Sequence, residues 1–179
     1  VLVGMWSQSA SARDLNGTAL NKDAVPSATI EYVELNPIEL DGELIEEVAF
    51  ERGLLHGYDP MGNPILPYYF AGAKMVGTLS SGNTIELTIE HIFEDIRAGK
   101  TPLPYYYVSF QGSEKREPLC GTDGAGKHIP AILLQGAWDY SEGTTTGGSW
   151  IPQEGTVTFA CSGQVLAKCV EAGYIPWEG

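Results

Sequence analysis

The tightest constraint on this chain lies in residues 156–177, TVTFACSGQVLAKCVEAGYIPW, where the hydrophobic period changes once. Residues 156–160 alternate polar and apolar, which puts Val157, Phe159 and Cys161 on one face of a strand. The spacing then turns helical. Val165, Leu166, Cys169 and Val170 share a face, Ser162 stands as an N-cap, and Gly173 takes the C′ position ahead of Pro176. Two cysteines bracket the helix, and a covalent tie from one of them is expected to fix this unit to the rest of the domain.

Those cysteines cannot both satisfy each other. At about 1.5 Å per residue, one unbroken helix holds Cys161 and Cys169 roughly 12 Å apart, beyond disulfide reach. Cys120 is therefore expected to bond Cys161 or Cys169, with Cys161 favoured because it shares the strand's core face. The remaining thiol is either a small buried apolar group or matched to a cysteine outside this chain. Such a bond implies an oxidising compartment, the alternative being three reduced thiols in a cytosolic domain.

Composition narrows the class. With 179 residues and 43% hydrophobic content, the chain can bury a core without relying on disulfides. Ten Lys and Arg against 23 Asp and Glu give a net charge of -13, which repels a phosphate backbone and argues against nucleic acid. No apolar run approaches the roughly 20 residues of a membrane helix. The first residue is Val1, as removal of an export signal would leave it.

Residues 1–24 read as an arm. Val1, Leu2, Val3, Met5 and Trp6 form an apolar, strand-like segment, SQSASA is a small polar spacer, and a Leu-Asn pair recurs at Leu15-Asn16 and Leu20-Asn21. On a flexible spacer, such a segment is expected to bridge subunits by adding a strand to a neighbour's open sheet edge; completing its own sheet is the alternative. Asn16-Gly17-Thr18 fits a glycosylation sequon, of use only on a eukaryotic secretory route.

Residues 25–179 read as a single β-rich domain. Residues 29–35 form a strand that Asn36-Pro37 is expected to break, and Asp41-Gly42 signals a hairpin between residues 38–40 and 44–48. Residues 57–64 form a loop, and residues 68–76 and 83–89 pair as strands, with Ile85, Leu87 and Ile89 on one face. Residues 90–100 continue as a strand that frays. Residues 105–110 and 131–140 are two more strands, and EGTTTGGSW is a loop before the last one. Many short strands and one helix predict a mainly β fold, an antiparallel sandwich or open barrel with one C-terminal α-helix.

Catalytic signatures are weak. Residues 121–127 match the glycine and lysine spacing of a phosphate loop, but His128 replaces the magnesium-holding hydroxyl and Pro130 prevents the helix, so DGAGK reads as a hairpin turn. His56, His91 and His128 lack the spacing of a helix-borne zinc site, so no metal is expected. Glu90, His91, Glu94 and Asp95 are the densest titratable group, read as a solvated acidic strand end rather than as an acid-base pair. Ser141, Ser149 and Ser162 lack the nucleophile elbow. Trp138, Tyr140 and Trp150 around a Gly/Thr loop are candidates for stacking sugar rings, or else an aromatic core lid.

Glu117-Pro118-Leu119-Cys120-Gly121, Gln135-Gly136-Ala137-Trp138-Asp139, Thr158-Phe159-Ala160-Cys161 and Ala167-Lys168-Cys169-Val170, followed by Gly173-Tyr174-Ile175-Pro176-Trp177, resemble the ADYC domain, a family of exported bacterial proteins, many of them lipoproteins. LNGTALN, residues 15–21, is similar to the short repeats that often precede that domain. The likeness is specific over residues 117–177. The family pattern continues past the Pro-Trp pair into an Ala-Asp-Tyr-Cys segment; its absence here fits the leftover cysteine and is expected to reflect a cut tail. The resemblance implies export and brings no catalytic residues. The reading is an exported, extracellular or cell-surface structural protein, not an enzyme and without a cofactor. It is expected to self-assemble as a homo-oligomer, polymer or filament through the arm. An extracellular carbohydrate-binding module and a secreted hydrolase are the alternatives.

Overall fold

The structure, a computed structural model, describes residues 30–79, 81–96, 101–112, 115–139 and 149–176. The arm with its candidate bridging residues Val1, Leu2, Val3, Met5 and Trp6 lies outside the described residues, as do the Leu-Asn repeat, the sequon, Tyr140 and Ser141.

Turn chemistry sets the first strands. Strand β1 (Ile30–Leu40) reverses into β2 (Glu43–Ile45) through Asp41 and Gly42, at φ 52° and 83°. Two consecutive positive φ values match the right-handed twist of a two-residue hairpin. Arg52 and Gly53, at φ 51° and 83°, repeat the device between β3 (Val48–Glu51) and β4 (Leu54–Tyr58). Strand β5 (Pro64–Ile65) then pairs with β4 to complete a three-stranded sheet. Residues 57 and 58 belong to β4 rather than to the expected loop, which shrinks to a turn organised by Asp59: its Oδ1 accepts the amides of Met61 and Asn63 at 2.9 and 2.8 Å.

The remaining strands are β6 (Lys74–Leu79), β7 (Thr84–Asp95), β8 (Leu103–Gln111), β9 (Arg116–Pro118), β10 (Ala131–Gln135), β11 (Ala137–Asp139), β12 (Ser149–Ile151) and β13 (Thr156–Cys161), followed by helix α1 (Val165–Glu171). The main sheet runs β10-β13-β1-β6-β7-β8, all antiparallel, and the pairing of Ala131 with Tyr106 brings β10 back to β8. The fold is thus a six-stranded barrel, with β2 and β9 as extra strands and β11–β12 as a separate ribbon. It is mainly β with one C-terminal helix.

Alternation along each strand sorts side chains to the two sides of the wall. Val33, Met75, Leu87, Tyr106, Leu133 and Phe159 belong to the interior cluster. Tyr105, Ile132 and Ala160 point the other way and pack with Ala167 and Val170 of α1. Strand β13 is buried at every position because the barrel covers one face and the helix and ribbon region the other. A strand covered on both faces loses the clean alternation of a half-exposed one.

Several expectations are corrected. Asn36-Pro37 lies within β1 instead of ending it: the Asn36 amide group accepts from the Val48 N–H at 2.8 Å and donates to the Val48 carbonyl at 3.2 Å, taking the place of a strand partner at an irregular register. Residues 67–70 form a 3-10 turn opened by Pro67, so the strand expected from residue 68 starts only at Lys74. Residues 131–140 are not one strand, because Gly136 at φ 89° breaks them into β10 and β11.

The helix also differs at its start. Gly163 at φ 80° makes a turn in which the Gln164 N–H reaches the Cys161 carbonyl, so Gln164 rather than Ser162 occupies the N-cap. The Ser162 hydroxyl instead donates to Glu171 at 2.6 Å. The buried face centres on Ala167 and Val170, with Leu166 half-buried and Cys169 exposed, a rotation from the expected stripe that brings the smallest side chain against β13. At the other end, Gly173 N–H to Val170 and Tyr174 N–H to Cys169 close a Schellman turn, with Gly173 at φ 115°.

Candidate functional site

Gly136 organises the region outside the barrel. An added Cβ there would stand 2.5 Å from the Ile151 carbonyl and 2.6 Å from Trp150 Nε1, so only glycine lets the β11–β12 ribbon fold this closely onto β10. The corner is tied three ways: the Gly136 N–H donates to Thr156, the Thr158 hydroxyl to the Gly136 carbonyl, and the Trp150 indole to the Gln135 carbonyl at 2.7 Å. Trp138 and Trp150 are register partners on the ribbon.

Between this ribbon and α1 lies a groove of ≈ 660 Å³. Leu134 and Thr158 come from the barrel wall, Trp150 from the ribbon, Leu166 and Val170 from the helix, and Tyr174 from the turn that ends it. Among the described residues, none that lines it is charged, although the chain carries a net charge of -13. Trp150 and Tyr174 remain 55% and 68% exposed, so the rim presents large apolar rings to solvent. The Thr158 hydroxyl is spent on the Gly136 carbonyl, which leaves the groove poor in polar groups able to orient a small ligand.

The cysteines divide between frame and groove. Cys120 and Cys161 are joined, with Cα atoms 5.5 Å apart, tying the segment after β9 to the end of β13. Cys169 is free and exposed on the groove wall. Of the three candidates for stacking sugars, Trp150 lines the groove, Trp138 sits opposite it on the ribbon, and Tyr140 is outside the described residues.

The titratable group at residues 90–95 does not converge. Partial burial pushes the Glu90 carboxyl up, but hydrogen bonds from Ser109 and Arg116, with the nearby positive charge of Arg116, outweigh it and hold the group below the ordinary carboxylate range. His91 stacks on Phe93 and Tyr107, while Glu94 and Asp95 lie further along β7, opposite Pro104 and Leu103. The Tyr107 ring stands between His91 and His128, at 6.5 and 6.4 Å; His56 is elsewhere, opposite Ala49 on β4. Among the described residues, no three His, Cys, Asp or Glu side chains come together as a metal site would require.

The phosphate-loop lookalike is a turn. Asp123 Oδ1 accepts the amides of Ala125 and Lys127, both at 2.9 Å, so donors that would cradle a phosphate already hold a carboxylate. A second concavity is lined by Glu46, Glu47 and Asp59; hydrogen bonds from the Asn63 side chain and backbone hold the Asp59 carboxyl low.

The groove escapes local sequence reading because its residues come from five separate segments. Its sequence signals are Trp150, a candidate for stacking, and Gly136, an isolated glycine inside an apolar run, which marks a close backbone approach. No helix among the described residues is long and apolar enough to cross a membrane. A family comparison matches the ADYC domain to residues 68–179, extending the likeness upstream from the motifs near Cys120 to the 3-10 turn before β6. No curated protein and no solved structure matches the chain.

Proposed function

Because the chain belongs to the ADYC domain family, we propose that it is an exported, non-enzymatic structural protein that self-assembles through the groove beside α1. The observation that carries this reading is the groove itself, whose described lining is apolar and uncharged on a strongly acidic chain. Concentrated exposed apolar surface is what protein docking requires. Export is supported by the family and by the Cys120–Cys161 bond, which suits an oxidising compartment.

The barrel changes where a bridging arm would dock. Closure between β8 and β10 leaves the main ring without the open edge that strand addition needs. Strand edges remain on the three-stranded sheet and the ribbon, and the groove is preferred as the acceptor for its apolar lining. Each large apolar side chain buried there contributes about 1.5–3 kcal/mol, so five give a gross gain of about 8–15 kcal/mol, from which the cost of association and ordering is subtracted.

A second reading, binding of carbohydrate, is favoured by the half-exposed Trp150 ring. Sugar recognition also needs several convergent hydrogen-bonding groups, and the groove lining is largely apolar.

Light scattering after size-exclusion chromatography and negative-stain microscopy test the proposal. The protein is expected to form large species, more of them as salt screens the repulsion between copies of charge -13. Tyr174→Asp, at an exposed rim position, is expected to abolish them without loss of circular dichroism signal. A wild-type protein that stays monomeric at high concentration sinks the reading.

A further inference from the structure

We infer that the groove receives residues 1–6 of a second copy of this chain, an inference that rests on the groove being the assembly surface. Complementarity selects the segment. An occupant of a groove whose described lining is apolar and uncharged is expected to bury apolar side chains there, since a buried side-chain charge would be desolvated without a partner. Of the longer stretches outside the described residues, RAGK at 97–100 and YSEGTTTGG at 140–148 carry charge or are mostly polar. Val1, Leu2, Val3, Met5 and Trp6 supply five apolar side chains around Gly4. Trp6 adds a large rigid ring of the type that dominates interface energies.

The strand direction starts β1 at the end of β13 away from the Trp150 wall of the groove. β1 runs antiparallel to β13, with Val33 opposite Val157 and Glu34 opposite Thr156. Followed back from Val33, the chain heads toward the Cys161 end of β13, whereas Trp150 walls the groove at the Gln135 and Thr156 corner. A neighbour placed beyond the Cys161 end takes the segment without reversal. Residues 7–29 span on the order of 70 Å when extended at about 3.3 Å each, ample for the crossing. Donor and acceptor then lie at different places on the surface. Such a contact is heterologous, and repetition without closure builds a filament.

The free thiol of Cys169 on the groove wall serves as a built-in reporter. Gly4→Cys keeps all five apolar side chains of the segment, and Ser9→Cys puts a thiol in the spacer as a control. Full-length variants are incubated with oxidised glutathione, run without reductant and mapped by mass spectrometry. The expected result is disulfide-linked dimers and higher species in Gly4→Cys, several-fold above Ser9→Cys and wild type, and lost when Cys169→Ser is added. The same bond formed within a single chain overturns the assignment to a second copy. If Tyr174→Asp reduces assembly but no bond reaches Cys169, the groove reading stands and the occupant is wrong. Assembly unchanged in both Tyr174→Asp and Leu166→Asp means that the groove reading has failed and this inference with it.

Discussion

Reduction of the Cys120–Cys161 bond gives the most direct measure of how the C-terminal unit is held. The bond closes a sequence separation of 41 residues. Loop-closure entropy for that length comes to about 4 kcal/mol at 25 °C. With a urea slope of about 2 kcal/mol/M for a chain of this size, the unfolding midpoint should fall by roughly 2 M on reduction. Comparing oxidised and reduced protein of one sequence avoids the void that truncating Cys161, only 6% exposed, would leave in the core. Cys169→Ser should be used as the background, because a free thiol reshuffles disulfides during unfolding and spoils two-state analysis. By itself that substitution is expected to move the midpoint little, since Cys169 is exposed. Coincident oxidised and reduced curves, or unreduced peptides that link Cys120 to nothing, would refute the reasoning.

Gly136→Ala should cost about 2–3 kcal/mol in urea unfolding, because it combines φ 89° with contact at 2.5 Å on a backbone carbonyl, while Gly155→Ala, at φ 70° in open space, should cost about 1 kcal/mol. Equal losses would mean that the ribbon is not packed on this corner. Ala167→Leu, at a fully buried position of α1 packed with Ile132 and Ala160, should destabilise by about 1–3 kcal/mol, and exposed Lys168→Ala by less than about 0.5 kcal/mol; a reversed order would show the helix rotated. Burial pushes the Tyr106 phenol well above its ordinary value of 10.0, so only the unfolded state ionises as pH passes 10, and stability should be lost above that pH. Tyr106→Phe should flatten part of that alkaline decline while costing about 1–2 kcal/mol near neutrality, because the Gly53 carbonyl loses its 2.8 Å donor; an unchanged alkaline slope would count against it.

What the sequence discloses is local chemistry that stays local in the fold. Asp41-Gly42 is read as a hairpin because its positive φ values suit those two residues wherever the hairpin is used, and Gly173 closes α1 for the same reason. The failures occur where a distant partner overrides a local rule. Asn36-Pro37 ought to end a strand, but the Asn36 side chain borrows the backbone of Val48, a residue on another strand, and β1 continues. The helical stripe counts Cys169 as apolar and passes over Ala167, because hydrophobic spacing weighs side-chain size but not the distance to the sheet. Ser162 is a good capping residue without a cap to make: Gly163 turns the chain first, and the hydroxyl finds Glu171.

The same distinction explains why the groove and the arm were legible to different degrees. The apolar segment at residues 1–6 is contiguous, so a count of side chains finds the donor. Its proposed acceptor has no contiguous signature, since Leu134, Trp150, Thr158, Leu166 and Tyr174 meet only after the barrel closes, Gly136 turns the ribbon over β10, and the disulfide fixes the end of β13. These steps rest on backbone geometry and a side-chain cross-link rather than on hydrophobic spacing. The placement has a consequence for assembly. The groove stands on α1 and the ribbon, both attached to the barrel through the Gly136 corner and the end of β13, so loss of either support should weaken docking before it unfolds the barrel. Gly136→Ala is thus expected to reduce assembly at urea concentrations that leave the barrel's circular dichroism intact, a separation absent if subunits meet through the barrel wall itself.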